Sequence, residues 1–461
     1  MKFDVGDSRI LRDSGMLWIL NISLLFAMQI SAQARAQAQD LLDFIDASPS
    51  PWHTVETTAA CLLAEGFTEL QENQRWQLET GGRYFVTRGG SSLIAFILGQ
   101  KPLEESGLRI VGAHTDSPGL RLKPHAAHCC EGVVRLGVEV YGGPILATFT
   151  DRDLSLAGRV NVRTAQGCQT HLLRFEEPLV RLPNLAIHMN REVNEQGLKL
   201  HKQNELPLLL ALAQEGMTPD NQFMGQVAAK LGVAQDSIIN VEFNIYDTQK
   251  GSYWGADQEF IANSQLDNLA SCHAALSALL GSKSPEATCL CALFDHEEVG
   301  SGSAQGADGS FVSDVISRLQ GQAQLDEEAR HLCMANSFFI SADMAHAWHP
   351  NFPAAYDPHH HVLVNRGPVI KHNASQRYST GLDSAARFIQ LCEKAGVPYQ
   401  QYVHRTDLGC GSTIGPMVAA QLGICSVDVG CPMWAMHSIR ESAGVLDHGY
   451  MIAVLKEAYS S

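Results

Sequence analysis

The sequence predicts an α/β protein: an α/β/α sandwich on a mostly parallel sheet, interrupted by a β-rich insertion. Three observations lead there. From residue 264 onward, helical and strand-like patterns alternate, as crossover-connected parallel strands require. The runs 108–112 (Leu-Arg-Ile-Val-Gly) and 289–294 (Cys-Leu-Cys-Ala-Leu-Phe) are almost continuously apolar, as strands covered on both faces are. Between 120 and 254 the pattern changes to β-branched alternation, with Val133-Val134 and a Gly142-Gly143 turn. The expected division is 1–37 as an extension, 38–119 with 255–461 as the α/β domain, and 120–254 as the insertion.

Taken in order, Arg9 and Arg12 precede an apolar run over 16–28 and small-residue sites such as Ala32-Gln33-Ala34, the outline of a leader peptide. The run is too short to span a bilayer as a helix, and an extension ahead of a start at Met28 is the simpler account. Helical patterning follows over 40–67, broken at Ser48-Pro49-Ser50-Pro51, then strands at 84–86, 93–98 and 108–112. The insertion holds one helix-like stretch, 222–231. Beyond it come a helix over 267–280, a strand over 289–295, a helix over 309–319 and a strand over 337–342.

Composition narrows the function. A chain of 461 residues, 45% hydrophobic and 18% charged, can bury a large core in two domains or in one domain with an insertion. Its 33 basic against 49 acidic residues leave a net charge of -16, which excludes a nucleic-acid partner read through phosphates. No membrane partner is expected. Twelve cysteines occur without a Cys-x-x-Cys pair, so a zinc knuckle is excluded and a reducing compartment, the cytoplasm, is expected. Cys289 and Cys291 are expected on opposite strand faces, as small core fillers rather than a disulfide.

Ligand sites in open α/β sheets gather beyond the carboxyl ends of strands, and polar residues terminate these runs. The first runs into Ala113-His114-Thr115-Asp116, the second into Asp295-His296-Glu297-Glu298, and 338–340 into Ser341-Ala342-Asp343-Met344-Ala345-His346. Asp267 opens a helix, and His437 lies in a late loop. Singly, Asp267 reads as a helix cap, His437 as a loop histidine and Glu297-Glu298 as a solvated turn. Jointly they do not, because adjacent carboxylates after a buried strand repel unless a cation or proton lies among them. Two histidines and three carboxylates suit a pair of zinc ions bridged by one carboxylate, with a further carboxylate free to act as base.

These segments resemble the aspartyl aminopeptidases, di-zinc enzymes that remove an amino-terminal acidic residue. The resemblance rests on Gly112-Ala113-His114-Thr115-Asp116-Ser117-Pro118, Gln265-Leu266-Asp267-Asn268, Asp295-His296-Glu297-Glu298-Val299-Gly300-Ser301, Ser341-Ala342-Asp343-Met344-Ala345-His346, Asn373-Ala374-Ser375-Gln376-Arg377-Tyr378 and Ala435-Met436-His437-Ser438-Ile439-Arg440-Glu441. It covers nearly all of the chain from Asp40. The resemblance implies that Asp267 bridges two Zn2+ ions, that His114 and Asp343 complete one site and Glu298 and His437 the other, and that Glu297 is the general base. It also implies that the Asp116 carboxylate orients His114. Substrate recognition falls to Lys371, as a buried ammonium awaiting the substrate's side-chain carboxylate, and to Tyr378, with His188 reaching a neighbouring subunit's site. The insertion becomes a dimerisation domain within a homo-oligomer, a dimer-based dodecamer, and the partners are peptides beginning with Asp or Glu. The first 27 residues, and Cys431 and Trp434 beside His437, depart from the family pattern and leave these residues intact. A di-zinc aminopeptidase or deacylase for neutral substrates, or a catalytically idle shell-forming protein, remains open beside this reading.

Overall fold

A computed structural model of the chain describes residues 30–461; the apolar run over 16–28 lies outside the described residues. The first described helix is Ala32–Ala47, earlier than the helical pattern from Asp40 suggests. Its start is set by Ser31, whose hydroxyl accepts the Ala34 N–H at 3.1 Å, ahead of alanine-rich sequence of high helix propensity. The Ser48–Pro51 break holds: helix Pro51–Ala64 begins with Ser50 as cap and Pro51 in its first turn.

The chain builds three sheets. In the nine-stranded sheet, Thr288–Phe294, Leu108–His114, Phe338–Ala342 and Cys425–Gly430 lie side by side and parallel at the centre. Their residues are buried almost without exception, because helices cover both faces. On one face the core takes in helices Ala32–Ala47, Pro51–Ala64, Leu266–Leu280, Leu382–Ala395 and Val445–Tyr459. The other face carries Phe311–Gln322, Glu327–Ala335 and Ile414–Leu422. The α/β/α sandwich is therefore as the sequence predicts.

One expectation is corrected. Cys289 and Cys291 are both fully buried and belong to the same core face, since strand residues two apart share a face. They are core fillers, and all twelve cysteines are free.

The second sheet is antiparallel and six-stranded, built from strands between Gly119 and Asp247 with its own core and helix Pro219–Leu231. Strand Ser252–Trp254, inside the expected insertion, pairs instead with Phe260–Asn263 in a third, five-stranded sheet. That small sheet brings strand Phe260–Asn263, which leads into Asp267, against the hairpin of Pro432–Trp434 and Glu441–Gly444, whose connection carries His437. Among the described residues, no helix is long and apolar enough to cross a membrane.

Close backbone approach in the antiparallel sheet makes a testable demand. A Cβ on Gly158 would stand 1.9 Å from the Glu242 carbonyl oxygen across the strand pair, whereas one on Gly137 would meet nothing nearer than 3.6 Å. Gly158→Ala should destabilise by ~1–3 kcal/mol or more, with Gly137→Ala close to neutral. Thermal melts of the two variants would check it, and equal midpoints would contradict the packing described.

Candidate active site

The site sits where three central strands end. His114 is the last residue of Leu108–His114, and Asp343 follows Phe338–Ala342. After Thr288–Phe294 the chain turns through His296 at φ 64° into a single 3-10 turn, Glu297–Val299. Asp267 precedes the regular part of helix Leu266–Leu280: its ψ of 104° is extended, not helical. His437, at φ 68°, tops the hairpin of the small sheet. The five predicted ligands and Glu297 are thus delivered to one place by five elements, Glu297 and Glu298 sharing one turn.

Their separations follow a pattern. His114 Nε2 stands 3.5 Å from Asp267 Oδ1 and 3.7 Å from Asp343 Oδ1. His437 Nε2 stands 3.4 Å from Asp267 Oδ2 and 3.4 Å from Glu298 Oε1. Asp267 therefore turns one oxygen to each histidine. Donor atoms of His114, Asp267 and Glu298 all lie within 4.8 Å of one another.

Both imidazoles are oriented through the other nitrogen. His114 Nδ1 lies 3.0 Å from the Asp116 carbonyl oxygen, and His437 Nδ1 lies 3.1 Å from the Gly143 carbonyl oxygen. A carbonyl only accepts, so each Nδ1 carries the hydrogen and each Nε2 directs a lone pair at two carboxylates. Lone pairs and carboxylates facing one another need a cation among them. Asp267 Oδ1 is buried with no hydrogen-bond partner, which marks the same need.

A tetrahedral zinc with donors at ~2.0–2.2 Å holds those donors roughly 3.3–3.6 Å apart. The observed 3.4–3.7 Å spacings match this better than hydrogen-bond lengths do. The residues present fit zinc. With no metal, protons take its place: burial opposes charge on His437, yet Asp267 and Glu298 raise it to about 11. Burial, with Asp267 beside it, pushes Glu298 up to about 7. Burial and then the surrounding carboxylates of Asp343, Glu298 and Asp116 lift Glu297 well above the carboxylate range, against the pull of His114.

Asp116 meets His114 through both its carbonyl and its carboxylate. Its carbonyl oxygen, at 3.0 Å, is the nearer partner of His114, while its carboxylate oxygen stands at 3.5 Å. The fully buried carboxylate accepts the N–H groups of Glu297 and Glu298, each at 3.1 Å, and the Tyr141 hydroxyl at 2.6 Å. It fixes the turn that bears both glutamates.

Lys371 comes to the edge of this group. It is buried, and its ammonium already has a partner, Asp343 Oδ2 at 3.4 Å, because strand Val369–His372 lies two strands from Phe338–Ala342 in the sheet. The ammonium lies 5.4 Å from the centre of the buried Tyr378 ring. Burial works against charge on Asp343, but Lys371 and His114 outweigh it and hold that carboxyl below its ordinary range. His188 lies apart from this group, exposed on the loop between strand Gly167–Arg174 and strand Leu208–Leu212.

Three contributors were not anticipated. Glu441 accepts the Asp267 N–H at 3.0 Å and the His437 N–H at 2.6 Å, so one buried carboxylate aligns two backbones. Its position four residues after His437 was a readable signal. Tyr141 and Gly143 belong to the antiparallel domain, and nothing local in the sequence links them to the site. Cys272 adjoins the site without contributing to it: its thiol donates to the His114 carbonyl at 2.9 Å, and burial pushes its pKa up.

Comparison with known proteins adds an independent line. The family model described as aminopeptidase I zinc metalloprotease (M18) matches residues 44–459. A probable M18 family aminopeptidase 2 from Stutzerimonas stutzeri is 47% identical over 425 residues, spanning 92% of this chain and 98% of its own. The Pseudomonas aeruginosa protein of the same description is 46% identical over 425 residues, with the same coverage. Among solved structures, that titled as the Ape4 and Nbr1 complex superposes with a TM-score of 0.90 at 36% identity, covering 94% of this chain and 88% of that one. The mApe1 dodecamer of S. cerevisiae gives 0.79 at 27% identity, covering 91% and 95%.

The raised carboxylate has a sign that can be tested. Glu298 moves from 4.5 to about 7 in the metal-free fold, so the native state holds the extra proton more tightly than the unfolded chain. That contribution is fully present below about 4.5 and is lost as pH rises through about 7. In chelator, the melting temperature of wild type should therefore fall more between pH 5 and 8 than that of Glu298→Gln. Parallel slopes would contradict the burial described.

Proposed function

We propose that this chain, which belongs to the M18 family of zinc metallo-aminopeptidases, removes acidic residues from the amino terminus of peptides with two zinc ions per chain. The acidic preference is carried by one observation: a buried ammonium, Lys371, beside Asp343 and the Tyr378 ring. An ammonium has three donors and Asp343 engages one face of it, leaving capacity for a substrate carboxylate. A neutral side chain there would forgo a charge-assisted hydrogen bond, worth roughly 1.5–3 kcal/mol or about 10–150-fold in specificity.

In this reading Asp267, His114 and Asp343 would hold one zinc ion, and Asp267, Glu298 and His437 would hold the other. Bound zinc supplies an acidified water and a polarised scissile carbonyl, and an anchor for the free α-amine. Glu297, adjacent to a ligand and itself unligated, takes the proton of the attacking water and returns it to the leaving nitrogen. Its raised pKa among carboxylates suits a group that must both accept and release a proton. Asp116 holds Glu297 and Glu298 by their main-chain N–H groups, and so separates their roles.

Assembly and location follow the same reading. A dodecamer is supported by the S. cerevisiae relative solved as one, and by Leu185, Ile187 and Met189, which expose 68%, 48% and 76% of their surface around His188. Such apolar side chains suit burial against a neighbouring subunit, which would carry His188 towards its site. Free and exposed Cys129, Cys130, Cys168 and Cys425 support the cytoplasm.

Three measurements test these assignments. Glu297→Gln should keep its zinc and lose roughly 10²–10⁴ in turnover, whereas Glu298→Gln should lose zinc by elemental analysis; equal zinc loss would sink the division of roles. Purified wild type should cleave aspartyl and glutamyl anilides well ahead of leucyl anilide, and only without chelator. Lys371→Met should erase that preference, and a mutant that retains it would return the neutral aminopeptidase to favour. Light scattering should find a multi-subunit particle; a fully active monomer would end the proposed role of His188.

A further inference from the structure

We infer that the turn Tyr141-Gly142-Gly143 of the antiparallel domain positions the Glu298–His437 half of the metal centre, so that this half, and not the His114–Asp343 half, depends on how that domain is seated. The inference rests on the ligand assignment proposed above. The turn ends strand Val133–Tyr141, and the chain then passes directly over the two residues concerned.

Each contact is specific. Gly142 has φ +66°, and a Cβ there would meet Glu298 Cβ at 3.1 Å, the Glu298 carbonyl oxygen at 3.2 Å and Pro118 Cβ at 3.4 Å. Only glycine combines that backbone with that closeness. The Gly143 carbonyl accepts from His437 Nδ1 at 3.1 Å, which fixes the tautomer and aims Nε2 at Asp267 and Glu298. Two residues on, the Ile145 N–H donates to the His437 carbonyl at 2.9 Å, and the Thr148 hydroxyl accepts the Ile439 N–H at 3.0 Å. The His437 loop is thus gripped from both sides by the antiparallel domain.

The other half is held differently. His114 is the end of a central strand and turns its Nδ1 to the carbonyl of Asp116, two residues on. Asp343 donates its N–H to the Val429 carbonyl at 2.9 Å and pairs with Lys371, both within the nine-stranded sheet. The one tie from the turn towards this side is indirect, through the Tyr141 hydroxyl on Asp116. Tyr141 is kept in place by the Arg121 guanidinium, 3.6 Å from its ring centre.

Unequal support means unequal release of metal, and this is measurable without an activity assay. Wild type, Gly142→Ala and the near-isosteric Thr148→Val, each as the full-length assembled protein saturated with zinc, would be equilibrated with graded dipicolinate and their zinc per chain counted by elemental analysis. Both variants should lose one zinc at a chelator concentration at least about tenfold lower than wild type, with release of the second unchanged and, for Thr148→Val, the melting temperature at saturating zinc preserved. Thr148→Val keeps the test valid should Gly142→Ala not fold. Loss of both zinc ions together, or release curves superposed on wild type, would overturn the inference. A wild-type chain holding fewer than two zinc ions would instead sink the ligand assignment, and the inference with it.

Discussion

Two imidazole lone pairs and a group of carboxylates are pressed together at the ends of buried strands, and this repulsion governs the rest of the molecule. Asp267 Oδ1 has no hydrogen-bond partner, and both histidines aim Nε2 at oxygens 3.4–3.7 Å away. Such an arrangement persists only with positive charge at its centre, whether protons or a metal. The sheet gives it rigidity: the register that sets Phe294 beside His114 brings the Glu297 turn to the end of the His114 strand. The small sheet then presents Asp267 and His437 from the far side. Membership of a zinc aminopeptidase family gives the required charge a chemical identity.

Support around this centre is mostly made by main-chain groups. Asp116 and Glu441 each accept N–H groups from two residues of the site, so the turn with Glu297 and Glu298 and the pair Asp267 with His437 are each tied by one buried carboxylate. Main-chain partners tolerate no rotamer freedom, and positions of this kind are held to the fraction of an ångström that general-base chemistry demands. The two acids differ in charge: burial opposes charge on Asp116, yet His114 holds its carboxyl below the ordinary range, whereas burial and then Asp267 push the Glu441 carboxyl well above it.

Much of this was legible because it is local. Apolar runs ending in His114, Asp343 and Glu297-Glu298 announce strands with chemistry at their tips, and the helix after Asp267 follows its apolar pattern. What escaped depends on distance in the chain. Tyr141 reaches Asp116 from the antiparallel domain, and Lys371 finds Asp343 only through the strand order of the sheet. Reading Cys289 and Cys291 as opposed was an error of period, since residues two apart on a strand share a face. The start of the first helix at Ala32 was missed because alanine and glutamine give propensity without an apolar stripe.

Cys272 lies against the carbonyl of His114, close to the centre, yet takes no part in it. Its thiol is fully buried and spends its hydrogen on a main-chain oxygen, with ionisation made harder by the absence of water. A thiolate is the donor zinc holds most tenaciously, and sites rich in thiolate become permanent struts. With that sulfur protonated and engaged on a main-chain oxygen, the groups gathered at the centre are imidazoles and carboxylates. A centre of imidazole and carboxylate groups without sulfur is the donor set of catalytic rather than structural zinc sites.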